Sequence, residues 1–190
     1  MTVQLLSYTP LEVAITATRT CWNSFDKSDN GGESDKALVD KVANKYKHSS
    51  VIEHLVYSFR IQGISRACLQ ELARHRIASL SVKSTRYTLK EVKHSDNLGF
   101  FLVKTGDYDI DKASLEALRN VRTMLLKGKS NDKVKYCLPE SFKTELTWTI
   151  NARSLQNFLR LRSSKEALWE IRRLAETVKK SLPASHAYLF

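Results

Sequence analysis

Apolar and polar residues alternate along two stretches of the chain, and this alternation predicts two half-buried β-strands. In residues 55–62 every second side chain is apolar, and in residues 143–150 Leu146, Trp148 and Ile150 repeat at the same spacing. Successive side chains of a strand point to opposite faces, so both stretches present one apolar face to a core, as in antiparallel sheets. Residues 2–8 and 99–104 are predicted as further strands.

Apolar residues at helical spacing predict helices between these strands. Thr9, Pro10 and Glu12 form a capping-box pattern at the start of the first helix, and Ser34 and Ser65 are predicted to cap the second and third. Later helices are predicted over residues 110–127, from 133 to before Pro139, over 154–162, and from a cap at Ser163 or Ser164 to before Pro183. Residues 77–88 are predicted to form a polar loop.

The order of these elements indicates the fold class. Strands and helices mix without regular alternation, so we expect an α+β fold in which a mixed or antiparallel sheet is flanked by helices. No internal repeat, low-complexity tract or linker divides the sequence. The 190 residues are enough for a sizeable core, and they are predicted to form a single domain, residues 1–190.

The net charge of the chain indicates which classes of partner it can bind. A net charge of +11 and a pI near 9.6 suggest nucleic acid, a nucleotide, a phosphorylated cofactor or an acidic membrane. The basic residues are spread along the chain, which favours phosphate pockets over a disordered nucleic-acid arm. No apolar stretch approaches the roughly 20 residues of a membrane span, and no signal-peptide pattern opens the chain, so a cytoplasmic protein is expected.

The cysteines suggest neither a disulfide framework nor a metal centre. Cys21, Cys68 and Cys137 lie far apart, without a C-x-x-C pair or a histidine at zinc-site spacing. We predict that they are reduced and buried as small apolar residues, and we expect no metal site.

Candidate chemistry is concentrated in residues 74–88. This stretch contains three arginines, one histidine and five aliphatic hydroxyls, and no carboxylate. Guanidinium groups pair with phosphate oxygens in bidentate geometry, and hydroxyls and turn amides satisfy the remaining acceptors. The alternative is a helix that ends in basic residues, which complement its dipole, followed by a polar loop.

A second candidate stretch, residues 151–162, leaves a strand and enters a helix. At about 100° per residue, Arg153, Asn157 and Arg160 lie on one face and Arg162 lies nearly opposite Arg153. The helix would therefore offer donors to two different places. The alternative is that its leucines and phenylalanine are core and its arginines are solvated.

Together, these stretches resemble flavin-dependent thymidylate synthases. Arg74-His75-Arg76, seven residues and then Ser84 match the RHR-x7-S motif of that family. A second block matches at Asn151-Ala152-Arg153-Ser154-Leu155, Asn157 and Leu161-Arg162, and an earlier block at His48-Ser49-Ser50 and Glu53-His54. The resemblance runs from about residue 9 to residue 170.

The resemblance implies an enzyme that makes dTMP from dUMP. Methylenetetrahydrofolate would donate the carbon, NADPH would be the reductant and bound FAD would carry the hydride. The family uses no cysteine nucleophile, and Cys137 precedes its proline as Cys-Leu-Pro, not as Pro-Cys-His. The catalytic position carried over is Arg162, which would stabilise the anionic pyrimidine, because a guanidinium stays charged and donates along a planar fork.

The same resemblance implies binding residues and an assembly. The FAD-binding positions carried over are Ser50, Arg74, His75, Arg76, Asn151, Arg153 and Asn157. The dUMP-binding positions are Glu71, Arg74, Ser84, Thr85, Arg86, Lys135 and Arg162. Family members are homotetramers whose active sites are shared between subunits. The chain departs from the family at Glu71, Val82 and Lys135, where glutamine, glutamate and arginine are common.

Two other readings of the sequence are open. A basic nucleic-acid-binding module would explain the charge and the neighbouring Arg86 and Tyr87, although no helix-turn-helix, zinc or RNP-type motif is present. A flavin-binding relative without synthase activity would contain the same motifs. With the enzyme reading, we expect no nucleic acid and no membrane among the partners.

Overall fold

A computed structural model describes residues 1–190 of the chain. A β-sheet determines its architecture. Its strands are β1 (Thr2–Tyr8), β2 (Val56–Ser65), β3 (Ala78–Val82) and β4 (Lys143–Asn151). They are ordered β1-β2-β4-β3, and each neighbouring pair is antiparallel. The predicted α+β class with an antiparallel sheet is confirmed.

Nine α-helices accompany the sheet. They are α1 (Leu11–Trp22), α2 (Glu33–Asp40), α3 (Arg66–Ala73), α4 (Thr85–Thr88), α5 (Lys90–His94), α6 (Tyr108–Leu126), α7 (Asn131–Val134), α8 (Ala152–Arg162) and α9 (Trp169–Lys180). A π-helical turn, Lys41–Lys45, continues α2. Short 3₁₀ turns occur at Phe25–Lys27, Ser49–Ile52, Leu98–Phe101, Lys135–Cys137 and Ala184–Leu189. None of these helices has the length and the apolar character of a transmembrane span.

The core forms where the apolar faces of the two central strands coincide. In the β2–β4 register Phe59 is opposite Trp148, and both side chains are fully buried. Helices α8 and α9 contribute Phe158 and Leu174 to the same cluster. A second, smaller cluster joins α5 and α6 through residues such as Val92, and it does not include the sheet. The alternation in residues 55–62 and 143–150 therefore predicted the two strands that carry the main core.

Two predicted segments have a different structure. Residues 77–88 contain strand β3 and helix α4, not a loop, because Ala78, Leu80 and Val82 alternate with serines along an edge strand that pairs only with β4. Residues 99–104 are not a strand. Residues 99–101 are part of a 3₁₀ turn, and Leu102 makes a single bridge to Phe142.

The helix caps are partly as predicted. Ser65 caps α3, since its Oγ accepts from the Cys68 N–H at 3.0 Å. Thr9 does not cap α1, because its Oγ1 accepts from the Val56 N–H at 3.1 Å. Ser34 does not cap α2 either: Asp29 accepts from the N–H groups of Ser34 and Asp35, at 2.8 and 3.1 Å.

Two further predictions fail at the level of single residues. Helix α9 begins at Trp169, with neither Ser163 nor Ser164 as its cap. Of the three cysteines only Cys68 is buried. Cys21, in the last turn of α1, and Cys137, in a surface 3₁₀ turn, are exposed.

Candidate active site

A large groove lies where α8 leaves β4 and where α3 ends. Asn151 links strand to helix, because its Oδ1 accepts from the Ser154 N–H at 2.8 Å and so caps α8. The groove has a volume of about 960 Å³. It is lined by Glu53, Arg74, His75, Arg76, Ile77, Asn151, Arg153, Ser154, Asn157, Leu161, Arg162, Ser164, Glu166 and Ala167. Residues from all three sequence blocks, among them Glu53, His75 and Arg153, are thereby brought to one site.

Arg162 is the most strongly held side chain of the groove. Its Nε donates to His75 Nε2 at 2.9 Å, and its Nη1 donates to Glu71 Oε2 at 2.6 Å. Its Nη2 donates to the main-chain carbonyl of Glu71 at 3.1 Å. Only 15% of the Arg162 side chain is exposed. The last turn of α8 is therefore joined to the last turn of α3 by one guanidinium group.

His75 is buried and acts as an acceptor. Because its Nε2 accepts from Arg162, the ring is neutral with its proton on Nδ1. Its ring makes an edge contact with Phe158, with centroids 5.1 Å apart. Burial lowers the pKa of His75, and the adjacent Arg162 lowers it further. The neutral form needed for the hydrogen bond is therefore the stable form at neutral pH.

Arg153 lies at another part of the groove with a partner of its own. Its Nη1 is 2.5 Å from Glu53 Oε1, and 59% of its side chain is exposed. One turn along α8, Asn157 Oδ1 accepts from Arg160 at 2.9 Å. Arg153 and Arg162 thus point in opposite directions from α8, as predicted. Each forms its own ion pair at the groove, Arg153 with Glu53 and Arg162 with Glu71.

Six predicted site residues do not line this groove: Ser50, Glu71, Ser84, Thr85, Arg86 and Lys135. Ser50 borders a different cavity, of about 610 Å³, beside α1. Ser84, Thr85 and Arg86 are at the start of α4, and Lys135 follows α7. There Arg86 Nε is 2.6 Å from Asp132 Oδ1, so α4 and α7 are joined by an exposed ion pair. Within one chain the predicted dUMP-binding positions therefore form two groups.

The comparisons with known proteins place the chain in a family. The family model described as "thymidylate synthase complementing protein" matches residues 4–185. A flavin-dependent thymidylate synthase of Wolinella succinogenes is 63% identical over all of this chain and 97% of its own length. One from Helicobacter pylori is 50% identical over 96% of this chain and 94% of its own.

The chain belongs to the family of flavin-dependent thymidylate synthases.

The solved structures extend this conclusion to the fold. A crystal structure of the Helicobacter pylori enzyme with FAD and dUMP has a TM-score of 0.96 at 50% identity, covering all of this chain and 97% of that one. As a member of this family the chain is an enzyme of thymidylate synthesis and a flavoprotein. The relatives support the enzyme reading over the nucleic-acid-binding alternative.

The groove fits the flavin that the family requires. A dinucleotide needs cations for its phosphates and an apolar surface for its rings. Arg74 and Arg153 are largely exposed at the groove, and Arg76 has no carboxylate within ion-pair distance. Ile77 is 73% exposed at the same place and offers apolar surface to a ring system.

Several groove residues were not predicted as site residues. They are Glu53, Ile77, Ser154, Leu161, Ser164, Glu166 and Ala167. Glu53 had a signal, since it lies in the quoted block with His54. Its pairing with Arg153, 100 positions away, had none, because any of the chain's many carboxylates could have been the partner.

Proposed function

We propose that the chain catalyses the reductive methylation of dUMP to dTMP, with methylenetetrahydrofolate as carbon donor and NADPH as reductant. Bound FAD would supply the hydride transfer. The observation that carries the proposal is the groove itself, where Arg162 is fixed beside His75 and exposed arginine side chains line the remaining surface. The family and its FAD- and dUMP-bound structure support the choice of ligands.

The flavin would bind in the groove through side chains from two elements. Arg74, His75, Arg76, Asn151, Arg153 and Asn157 would provide the contacts there. The exposed guanidinium groups suit the diphosphate, since each donates along a planar fork to phosphate oxygens. Ser50, which borders the cavity beside α1, would complete the FAD site from a different surface.

Arg162 would act on the pyrimidine of dUMP. A guanidinium keeps its charge when it is partly buried, and in a partly dry site it stabilises a developing anion more strongly than in water. Its fixed position means that little reorganisation is needed when the charge on the ring grows. No cysteine is required, and none lines the groove.

The other dUMP contacts would come through assembly. Glu71 and Arg74 lie next to Arg162, whereas Ser84, Thr85, Arg86 and Lys135 do not line that groove. We propose a homotetramer in which the surface formed by Ser84, Thr85, Arg86 and Lys135, here called the α4–α7 surface, faces the groove of another subunit. Ile77, Tyr87 and Tyr136, which are 73%, 71% and 86% exposed, are suitable interface residues. A single domain over residues 1–190, working in the cytoplasm, belongs to the same proposal.

Tritium release from C5-tritiated dUMP tests the reaction. We expect release only when dUMP, FAD, NADPH and methylenetetrahydrofolate are all present. Release without the folate, or no release from protein that has bound FAD, would contradict the proposed reaction. Product analysis for dTMP in the same mixture confirms that the carbon unit has been transferred.

A further inference from the structure

We propose that Glu71 is a positioning residue, which acts on the pyrimidine through Arg162 by holding its guanidinium group with both a side-chain and a main-chain oxygen. The proposal rests on the proposed function, because it takes Arg162 as the group that faces the pyrimidine. It assigns to Glu71 a role distinct from direct contact with dUMP.

The contacts of Glu71 support this role. Its Oε2 accepts from Arg162 Nη1 at 2.6 Å, and its carbonyl oxygen accepts from Nη2 at 3.1 Å. A bond to the carbonyl alone would leave the guanidinium free to pivot. The carboxylate adds a second point on the same residue, and His75 adds a third at Nε. Three contacts define the position and the plane of a rigid fork.

The number of donors shows what remains for a ligand. A guanidinium group has five N–H bonds, one on Nε and two on each terminal nitrogen. Glu71 and His75 accept three of them, one from each nitrogen. One N–H on Nη1 and one on Nη2 are left. A pyrimidine anion, with its negative charge shared between a ring nitrogen and the adjacent carbonyl oxygens, is an acceptor that can use both.

The negative charge of Glu71 also lies close to the guanidinium groups of two arginines. Arg74 Nη1 lies 3.8 Å from Glu71 Oε1, so the carboxylate is shared by two arginines. No other carboxylate lies within 4 Å of either guanidinium. Around His75, Arg74 and Arg162 lower its pKa, as burial does, and Glu71 opposes them. Removing the charge should therefore lower the pKa of His75 further.

Two substitutions separate the hydrogen bond from the charge. Glu71→Gln keeps an acceptor oxygen for Arg162 Nη1 but removes the charge, and Glu71→Ala removes both. Glu140→Gln is the matched control. It removes a carboxylate that also contacts α3, through the exposed side chain of Gln70 at 2.8 Å, and it is outside the groove. The readouts are kcat and KM for dUMP, flavin binding by absorbance, and the His75 pKa by NMR of histidine-labelled protein.

We expect Glu71→Ala to lower kcat about 10- to 100-fold with a smaller change in KM, since a misplaced catalytic group costs on this order. Glu71→Gln should keep kcat within about threefold, because its amide oxygen still accepts. Both variants should lower the pKa of His75, and Glu140→Gln should change neither quantity.

Full kcat in Glu71→Ala would overturn the proposal, and so would an unchanged His75 pKa in a folded Glu71→Gln protein. If Glu71→Ala does not fold, the Glu71→Gln measurement decides alone. Failure of the underlying function is seen separately, because the unmodified enzyme would then release no tritium from dUMP. A normal unmodified enzyme with unaffected variants would remove only the role of Glu71.

Discussion

Arg162 of the groove and Arg86 of the α4–α7 surface are held in opposite ways. In the groove, Arg162 is 15% exposed and has three hydrogen bonds to α3. On the α4–α7 surface, Arg86 is 56% exposed and its carboxylate partner, Asp132, is 60% exposed. The Arg162 side chain is therefore held in place without a ligand, whereas the Arg86 side chain can exchange its partner for a ligand.

The free energies of the Arg162–Glu71 and Arg86–Asp132 ion pairs indicate a different role for each arginine. An exposed pair such as Arg86–Asp132 contributes about 0–1 kcal/mol, so exchanging Asp132 for a phosphate costs little. A partly buried arginine needs its partners, because an unpaired charge in a low-dielectric site is costly. Arg162 is therefore suited to stabilising charge during the reaction, and Arg86 is suited to binding a phosphate.

The largest expected effect is at Arg162. Arg162→Ala should lower kcat about 10²- to 10³-fold, the range found when one preorganised donor to a developing anion is removed. FAD should still bind, since the other groove cations remain. Steady-state kinetics and flavin absorbance measure both quantities. Arg173→Ala, at an exposed position of α9 outside the groove, is the control. Full activity of Arg162→Ala would place the activating group elsewhere.

A substitution on the α4–α7 surface should weaken the binding of dUMP. Arg86→Ala should lower kcat/KM for dUMP about 10- to 100-fold, as expected for the loss of a charged hydrogen bond of about 1.5–3 kcal/mol. At saturating dUMP most of kcat should return. Lys90→Ala, at an exposed position just after α4, should behave like the unmodified enzyme. An unchanged dUMP KM in Arg86→Ala would separate the α4–α7 surface from the substrate.

A substitution at the exposed end of the groove should weaken the binding of FAD. Arg153→Ala should raise the Kd for FAD about tenfold, since it removes one phosphate donor that is 59% exposed. Titration followed by flavin fluorescence gives the value, again with Arg173→Ala as the control. Unchanged flavin affinity in folded protein would contradict the placement of FAD in this groove.

The smallest effect should be at Cys137. Its side chain is exposed and lies outside the groove, so Cys137→Ser should leave kcat within about twofold. Turnover under saturating conditions is the measurement. Complete inactivation of a folded Cys137→Ser protein would reopen a covalent mechanism through a thiol.

The sequence predicted elements whose cause is local. The alternation in β2 and β4 was visible because large apolar residues such as Phe59 and Trp148 repeat every second position. Strand β3 was missed because its apolar positions include the small Ala78 and its other positions are serines, as in a loop. Ser65 was identified as a cap from its own position, whereas Asp29 caps α2 across two glycines.

Part of the membership of the groove could be predicted from the sequence, but its contacts could not. The motif blocks identified His75, Arg153 and Arg162, since each lies in a recognisable pattern. The pairing of Arg162 with Glu71, 91 positions apart, depends on how the ends of α3 and α8 meet in three dimensions. Nothing in a one-dimensional charge pattern selects that carboxylate among those available.

The most direct test of the central claim is to mix two damaged enzymes. If the groove of one subunit works with the α4–α7 surface of another, Arg162→Ala and Arg86→Ala subunits reassembled together would form some sites with neither substitution. We therefore predict that tritium release at low dUMP rises well above that of either variant alone. No gain, in mixtures shown by mass spectrometry to contain mixed tetramers, would contradict the shared site.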